Sequence, residues 1–188
     1  MHFRTARPTA PGTEGAHSHP DAAGLGAELA AVVAGARRRA VRDGDRHVDT
    51  AHLLHSLLEQ DPEVRSAVGG PPQLARLFGY LVQRSIGYGL RWQGSVEDSG
   101  ALPVVPRPAT GEAAGDWSPA AAAALAHARE RARSRGERGA TGSDLLAGLV
   151  ADPASRAVEV LGRAGVHAHE LTARITARAG EFVQDASC

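Results

Sequence analysis

Three observations predict an all-α fold of eight short helices in two pseudo-symmetric four-helix repeats. The stretch His47 to Leu58 (HVDTAHLLHSLL) returns ninety-two positions later as Gly139 to Val150 (GATGSDLLAGLV). Leu53, Leu54, Leu57 and Leu58 then fall on Leu145, Leu146, Leu149 and Val150 without a gap. Apolar residues at i, i+1, i+4 and i+5 make one buried stripe on a short helix. In front of each stripe stands a capping residue, Asp49 or Thr141, whose oxygen can accept from the unpartnered N–H groups of the first turn. Asp144 adds favourable charge at the positive end of the second helix. The pairs Asp61-Pro62 and Asp152-Pro153 repeat at an offset of ninety-one. Cap and stripe at a constant offset mark an internal duplication.

Composition narrows the function. The chain of 188 residues has zero formal charge, so no global field draws it to nucleic acid or an anionic membrane. All 21 basic residues are arginine. Without lysine there is neither a P-loop nor a Schiff base. The single cysteine, Cys188, excludes a disulfide framework and a thiolate metal site. A reduced, intracellular setting fits that usage. Residues 1–20 hold no apolar run long enough for a signal peptide, and nothing later approaches a membrane span. The expectation is a soluble, cytoplasmic monomer with no cofactor and no membrane partner.

Along the chain, residues 1–20 are rich in Pro, Gly, Ser and Thr and read as a disordered tail, with His17 and His19 solvated. The first repeat spans 21–89. Its first helix carries Leu25, Leu29, Val32, Val33, Ala36 and Ala40 on one face and stops near Asp43-Gly44. Arg37, Arg38, Arg39 and Arg42 sit near its C-terminal end, where they interact well with the helix dipole. The second helix runs from Thr50 to Gln60. Its His52 and His55 share a face, but no third ligand accompanies them. Asp61-Pro62 starts a third helix ending at Gly69-Gly70. The fourth follows from Pro72, with Leu74, Leu77, Phe78, Leu81, Val82 and Ile86 as a wide apolar face.

Residues 90–116, with Pro103, Pro106 and Pro108, read as an exposed linker in which Leu102, Val104 and Val105 pack only locally. The second repeat, 117–182, opens at Trp117-Ser118-Pro119, a cap followed by a first-turn proline. Ala121, Ala124, Leu125, Ala128 and Ala132 continue the buried face to Arg135-Gly136. The offset of ninety-two sets Trp117 on Leu25. After the second signature helix, Asp152-Pro153 starts a seventh, which Gly165 stops. A last helix with Leu171 and Ile175 runs to about Gly180, and residues 183–188 form a tail. Helices this short are unstable alone, so both repeats should pack into one domain.

These signatures, Asp49-Thr50-Ala51-His52-Leu53-Leu54 and Thr141-Gly142-Ser143-Asp144-Leu145-Leu146, resemble the Gly-Thr-Glu-His-Leu-Leu-like motifs of the Clp family of AAA+ unfoldases. The likeness is to the amino-terminal domain of the ClpC and ClpA type, built from two four-helix repeats. Trp117-Ser118-Pro119 is similar to the aromatic and Thr-Pro or Ser-Pro opening of the family's second repeat. Val160-Leu161 through Gly165-Val166 is similar to its ending. The resemblance covers residues 21–182 and implies a module that docks adaptors and substrates. With no motor in these 188 residues, it implies a stand-alone protein that binds and regulates.

In some relatives the signature Glu recognises phosphorylated arginine. That position is Ala51 in one copy and Ser143 in the other, and the assisting Thr corresponds to Gly26 and Ser118. The resemblance therefore implies weak or absent phosphoarginine docking. Its expected partner-binding positions are Trp117, Ser118, Ser143, Leu25, Gly26 and Ala51. Trp117 offers a large indole, either as a binding anchor or as a staple on its own helix. In the family the equivalent position lines a groove that takes macrocyclic peptide antibiotics.

The leading reading is thus a non-enzymatic adaptor or regulator that binds Clp components or their substrates. One alternative is a decoy sequestering a hydrophobic cyclic peptide. Another is a nucleic-acid-binding regulator using Arg37 to Arg46, which the neutral overall charge disfavours. No nucleophile-elbow or zinc-protease motif is present, and the His127 and Glu130 spacing suits an exposed helix pair.

Overall fold

A computed structural model describes residues 23–85, 96–98 and 117–185. Among these, eight helices form: α1 (Ala27–Asp43), α2 (Thr50–Gln60), α3 (Pro62–Val68), α4 (Pro71–Ser85), α5 (Pro119–Ser134), α6 (Gly142–Ala151), α7 (Arg156–Arg163) and α8 (Ala168–Asp185). The expected tail, most of the linker, Ile86 and the histidines at 17 and 19 lie outside the described residues. The fold is all-α, with four helices on each side of the linker, as the duplication predicts.

The two signature helices form the centre. Leu53, Leu54, Leu57 and Leu58 of α2 are fully buried, as are Leu145, Leu146 and Leu149 of α6. Helix α1 packs on α2 and α5 on α6, while α2 also meets α7, and α3 meets α6 and α8. The repeats therefore interleave. Arg174 of α8 donates to the carbonyls of Ala67 and Val68 (2.8 and 3.2 Å), capping the C-terminal end of α3 in the other repeat.

Two reciprocal backbone pairings hold the repeats together. Leu25, leading into α1, bridges Ala140, leading into α6; Val48, leading into α2, bridges Trp117, leading into α5. An offset of ninety-two carries the first pair onto the second, so the duplication acts as a local two-fold axis. Gly26 N–H donates to the Ala140 carbonyl (2.9 Å), Ala140 N–H to Gly24 (3.0 Å) and Ser118 N–H to Val48 (2.9 Å). A Cβ at Gly139 would stand 2.7 Å from the Gly26 nitrogen, so this crossing requires glycine.

Three expectations are corrected. Asp152-Pro153 does not begin a helix: Asp152 accepts from Ala154 N–H in a tight turn (2.9 Å), and Ser155 caps α7 by accepting from Val158 N–H. In the first repeat Asp61 does cap α3, accepting from Val64 N–H. Val82 points away from the core and is exposed. Helix α8 passes Gly180 and runs on to Asp185, into residues assigned to the tail; one interior glycine costs a helix only about 1 kcal/mol.

Glycine positions give a test of this packing. A Cβ at Gly148 of α6 would strike the backbone carbonyl of Ala124 in α5, whereas one at Gly79 of α4 meets nothing. Gly148→Ala should destabilise by roughly 1–3 kcal/mol through overpacking. Gly79→Ala should stabilise by about 0.5–1 kcal/mol through helix propensity. Urea denaturation of the two variants beside the parent should show midpoints moving in opposite directions.

Candidate partner-binding site

The Val48–Trp117 pairing brings the first turns of α2 and α5 together, and α7 reaches the same place from the second repeat. Asp49 caps α2: its carboxylate accepts from His52 N–H (3.0 Å), and His52 Nδ1 accepts from Asp49 N–H (3.1 Å). The other carboxylate oxygen accepts from the Arg156 guanidinium at 2.6 Å, with both side chains largely buried. Ser118 caps α5 by accepting from Ala121 N–H (3.1 Å). The Thr50 hydroxyl accepts from Ala157 N–H at the start of α7 (3.0 Å).

The space between these helix starts holds Glu97, contributed by the linker. Its side chain is buried, only 5% exposed. One oxygen, Oε2, accepts from Thr50 N–H (2.8 Å) and the Ser118 hydroxyl (3.0 Å). The other accepts from Arg156 N–H (2.6 Å) and the Thr50 hydroxyl. Glu97 is thus a buried point in a stretch expected to be an exposed connector, while Val96 and Asp98 on either side of it are exposed. Nothing local marks Glu97: it lies between Val96 and Asp98 in a stretch without periodicity, and its donors are 21 to 59 residues away.

The predicted residues divide between two places related by the duplication. Trp117, Ser118 and Ala51 lie at the Glu97 site, where Ala51 is buried against the core. Trp117 is only 9% exposed and is covered by the Arg37 guanidinium, 4.8 Å from its ring centroid. Leu25, Gly26 and Ser143 lie at the counterpart, all half-buried. There Gly26 and Gly142 replace Ser118 and Thr50, and a Cβ at Gly142 would collide with the Asp61 carboxylate. The two sites therefore share a backbone and differ in chemistry.

The partners of the signature helix are likewise exchanged between copies. In the first, the third residue of the signature helix is His52, whose Nε2 faces Asp45 (3.2 Å) and Asp43 (3.8 Å). In the second it is Asp144, which accepts a two-pronged hydrogen bond from Arg135 (2.7 Å each) and a longer one from Arg131. Burial pushes the Asp144 carboxyl up, but the bonds from Arg135 and Thr141 outweigh it and hold the group below the ordinary carboxylate range. The same contact with Asp144 raises the Arg135 guanidinium.

Elsewhere, Arg39 pairs with Glu59 (2.6 Å) and Arg42 with Asp43 (3.6 Å), so much of the basic stretch is engaged within the fold. Glu130 pairs with Arg133. His52 and His55 turn to different partners, and among the described residues no group of three His, Cys, Asp or Glu is set to hold a metal. No described helix is long and apolar enough to cross a membrane.

No protein-family model and no curated protein matches the chain. Solved structures do. One is the N-terminal domain of the caseinolytic-protease-associated chaperone ClpD from Arabidopsis thaliana, at TM-score 0.56 and 18% identity, covering 88% of this chain and 99% of that one. The fold is Clp N-domain-like. A second chain, from a structure described as "Preliminary structural investigations of a malarial protein secretion system", aligns at TM-score 0.56 and 14% identity, over 82% of this chain and 94% of that one. At these identities the likeness is one of fold, and it agrees with the two-repeat architecture inferred from the signatures.

His55 gives this region a pH dependence. The ring is buried on α2, 5.8 Å from the Phe78 ring. Burial first, then the charge of Arg39, pushes its pKa down from 6.5 to about 4, against the opposing pull of Glu59. Between those values the unfolded chain binds a proton that the folded chain refuses, so stability is full above pH 6.5 and falls as pH drops towards 4. The loss should reach roughly 2 kcal/mol near pH 4.5. Denaturation midpoints measured across this range should show a flatter slope in His55→Leu.

Proposed function

We propose that this chain is a non-enzymatic peptide- and protein-binding module of the Clp proteolysis system, acting as an adaptor or regulator. The observation that carries the reading is the complete two-repeat Clp N-domain-like fold, which spans 99% of the ClpD domain. The binding positions we favour are Trp117 and Ser118 with Ala51, and their counterparts Leu25, Gly26 and Ser143.

Trp117 serves this role as an anchor that a partner reaches by displacing Arg37. A pull-down from the source cell's lysate, followed by mass spectrometry, should recover the Clp unfoldase or its bound substrates. Arg37→Ala should raise the yield, and Trp117→Ala should lower it several-fold while helical circular dichroism is retained. Recovery of neither, with saturable binding of a hydrophobic cyclic peptide, would replace the adaptor reading by the decoy.

Phosphoarginine docking should be weak or absent. Neither Ala51 nor Ser143 offers a carboxylate for a guanidinium, and each such charged hydrogen bond is worth about 1.5–3 kcal/mol. Calorimetry with free phosphoarginine should show no saturation at millimolar ligand; saturable heat at two sites would overturn this expectation.

A further inference from the structure

The Glu97 site is a cradle whose polarity is fixed by its own hydrogen bonds. The Ser118 hydroxyl already accepts from Ala121 N–H, and the Thr50 hydroxyl from Ala157 N–H. Each hydroxyl has one proton, and both are turned to the same place. The other two groups facing that place, Thr50 N–H and Arg156 N–H, are backbone donors at the starts of α2 and α7. Among the described residues, every polar group bonded to the Glu97 carboxylate is thus a donor. An occupant must supply acceptors only, and a carboxylate, with two lone pairs on each oxygen, matches four donors.

The cradle is built in one copy only. At the equivalent positions the second repeat has Gly26 and Gly142, which lack the hydroxyls, and the Asp61 carboxylate crowds Gly142. Helix geometry alone would act alike in both repeats. The pair of oriented hydroxyls is what distinguishes this site.

We propose that this cradle is a carboxylate-recognition site, and that Glu97 is its resident ligand, exchanged for an acidic side chain of a partner segment. The inference deepens the peptide-binding reading and rests on it. A ligand on the same chain acts at a high effective concentration, so it screens the cradle against weak acidic peptides and yields only to partners with further contacts nearby. Trp117, adjacent to Ser118, is the neighbouring anchor for such contacts.

The test uses the full chain and a fluorescent peptide copying residues 93–101 (QGSVEDSGA), with a second peptide carrying Gln in place of its glutamate at position 97. The Glu peptide should bind Glu97→Ala at least about tenfold more tightly than it binds wild type, since the resident competitor is gone. It should also outbind the Gln peptide on that variant by about tenfold, because the charge-assisted bonds are lost. Thr50→Val added to Glu97→Ala should abolish the gain. Should Glu97→Ala lose its helical signal, Glu97→Gln keeps the volume and serves in the same comparisons. Equal binding by wild type and variant, or by the two peptides, overturns the proposal. Peptide exchange without recovery of any Clp component would leave the cradle standing and remove the Clp reading. Recovery of Clp components with no peptide exchange would do the reverse.

Discussion

The two reciprocal pairings, Leu25 with Ala140 and Val48 with Trp117, set the conditions for the rest of the fold. Each lies where the chain turns into a helix, and each makes backbone hydrogen bonding across the two repeats. A single repeat would leave the carbonyl of the buried Val48 unpaired, at a cost of about 1–3 kcal/mol if it is kept from water. The signature helices add to this dependence. Alpha-helices of ten or eleven residues are marginal alone, and α2 is buried on nearly all sides, by α1 in its own repeat and by α5, α6 and α7 of the other. Each copy thus relies on the other for part of its packing and hydrogen bonding.

Duplication kept the backbone while the side chains diverged. Asp43 and His52 in the first copy stand where Arg135 and Asp144 stand in the second, so an acid–base contact survives with its polarity reversed. What is held constant is the capping box, in which the third residue of the signature helix reaches back to the backbone N–H of the cap. His52 does this through a ring nitrogen and Asp144 through a carboxylate oxygen, and each recruits a partner of opposite character from the end of the preceding helix. Residue type could change because the requirement is for an acceptor at that N–H, which a neutral ring nitrogen and a carboxylate oxygen both supply.

The parts of this fold legible in the sequence are those whose causes are local. The leucine stripes, the caps at Asp49, Ser118 and Thr141, and the start of α3 at Asp61 depend on residues within one helical turn, and all stand where their spacing predicts. Asp152-Pro153 shows the limit of local reasoning. It has the same signal as Asp61-Pro62, but Ser155 caps three residues later, and its hydroxyl also donates to the Leu149 carbonyl at the end of α6. Trp117 was identifiable as a position of interest from its residue type. Its cover by Arg37 depends on α1 meeting the segment that leads into α5, which no local pattern encodes. Glu97 lies furthest from local inference, because every partner of its carboxylate is brought to it by the duplicated core.

That placement changes what the linker is. A carboxylate removed from water is stable only when its oxygens are fully engaged, and donors buried without an acceptor are costly in their turn. Glu97 and the starts of α2, α5 and α7 meet both conditions at once, so a linker residue completes the hydrogen bonding of helices from both repeats. At Ala51 the signature offers no carboxylate of its own. A carboxylate reaches the adjoining residue, Thr50, from outside the repeat instead. Its two oxygens are spent on four donors, leaving no lone pair well placed for a guanidinium. At the counterpart Gly26 and Gly142 offer neither hydroxyl, so one backbone carries two sites of different hydrogen-bonding capacity.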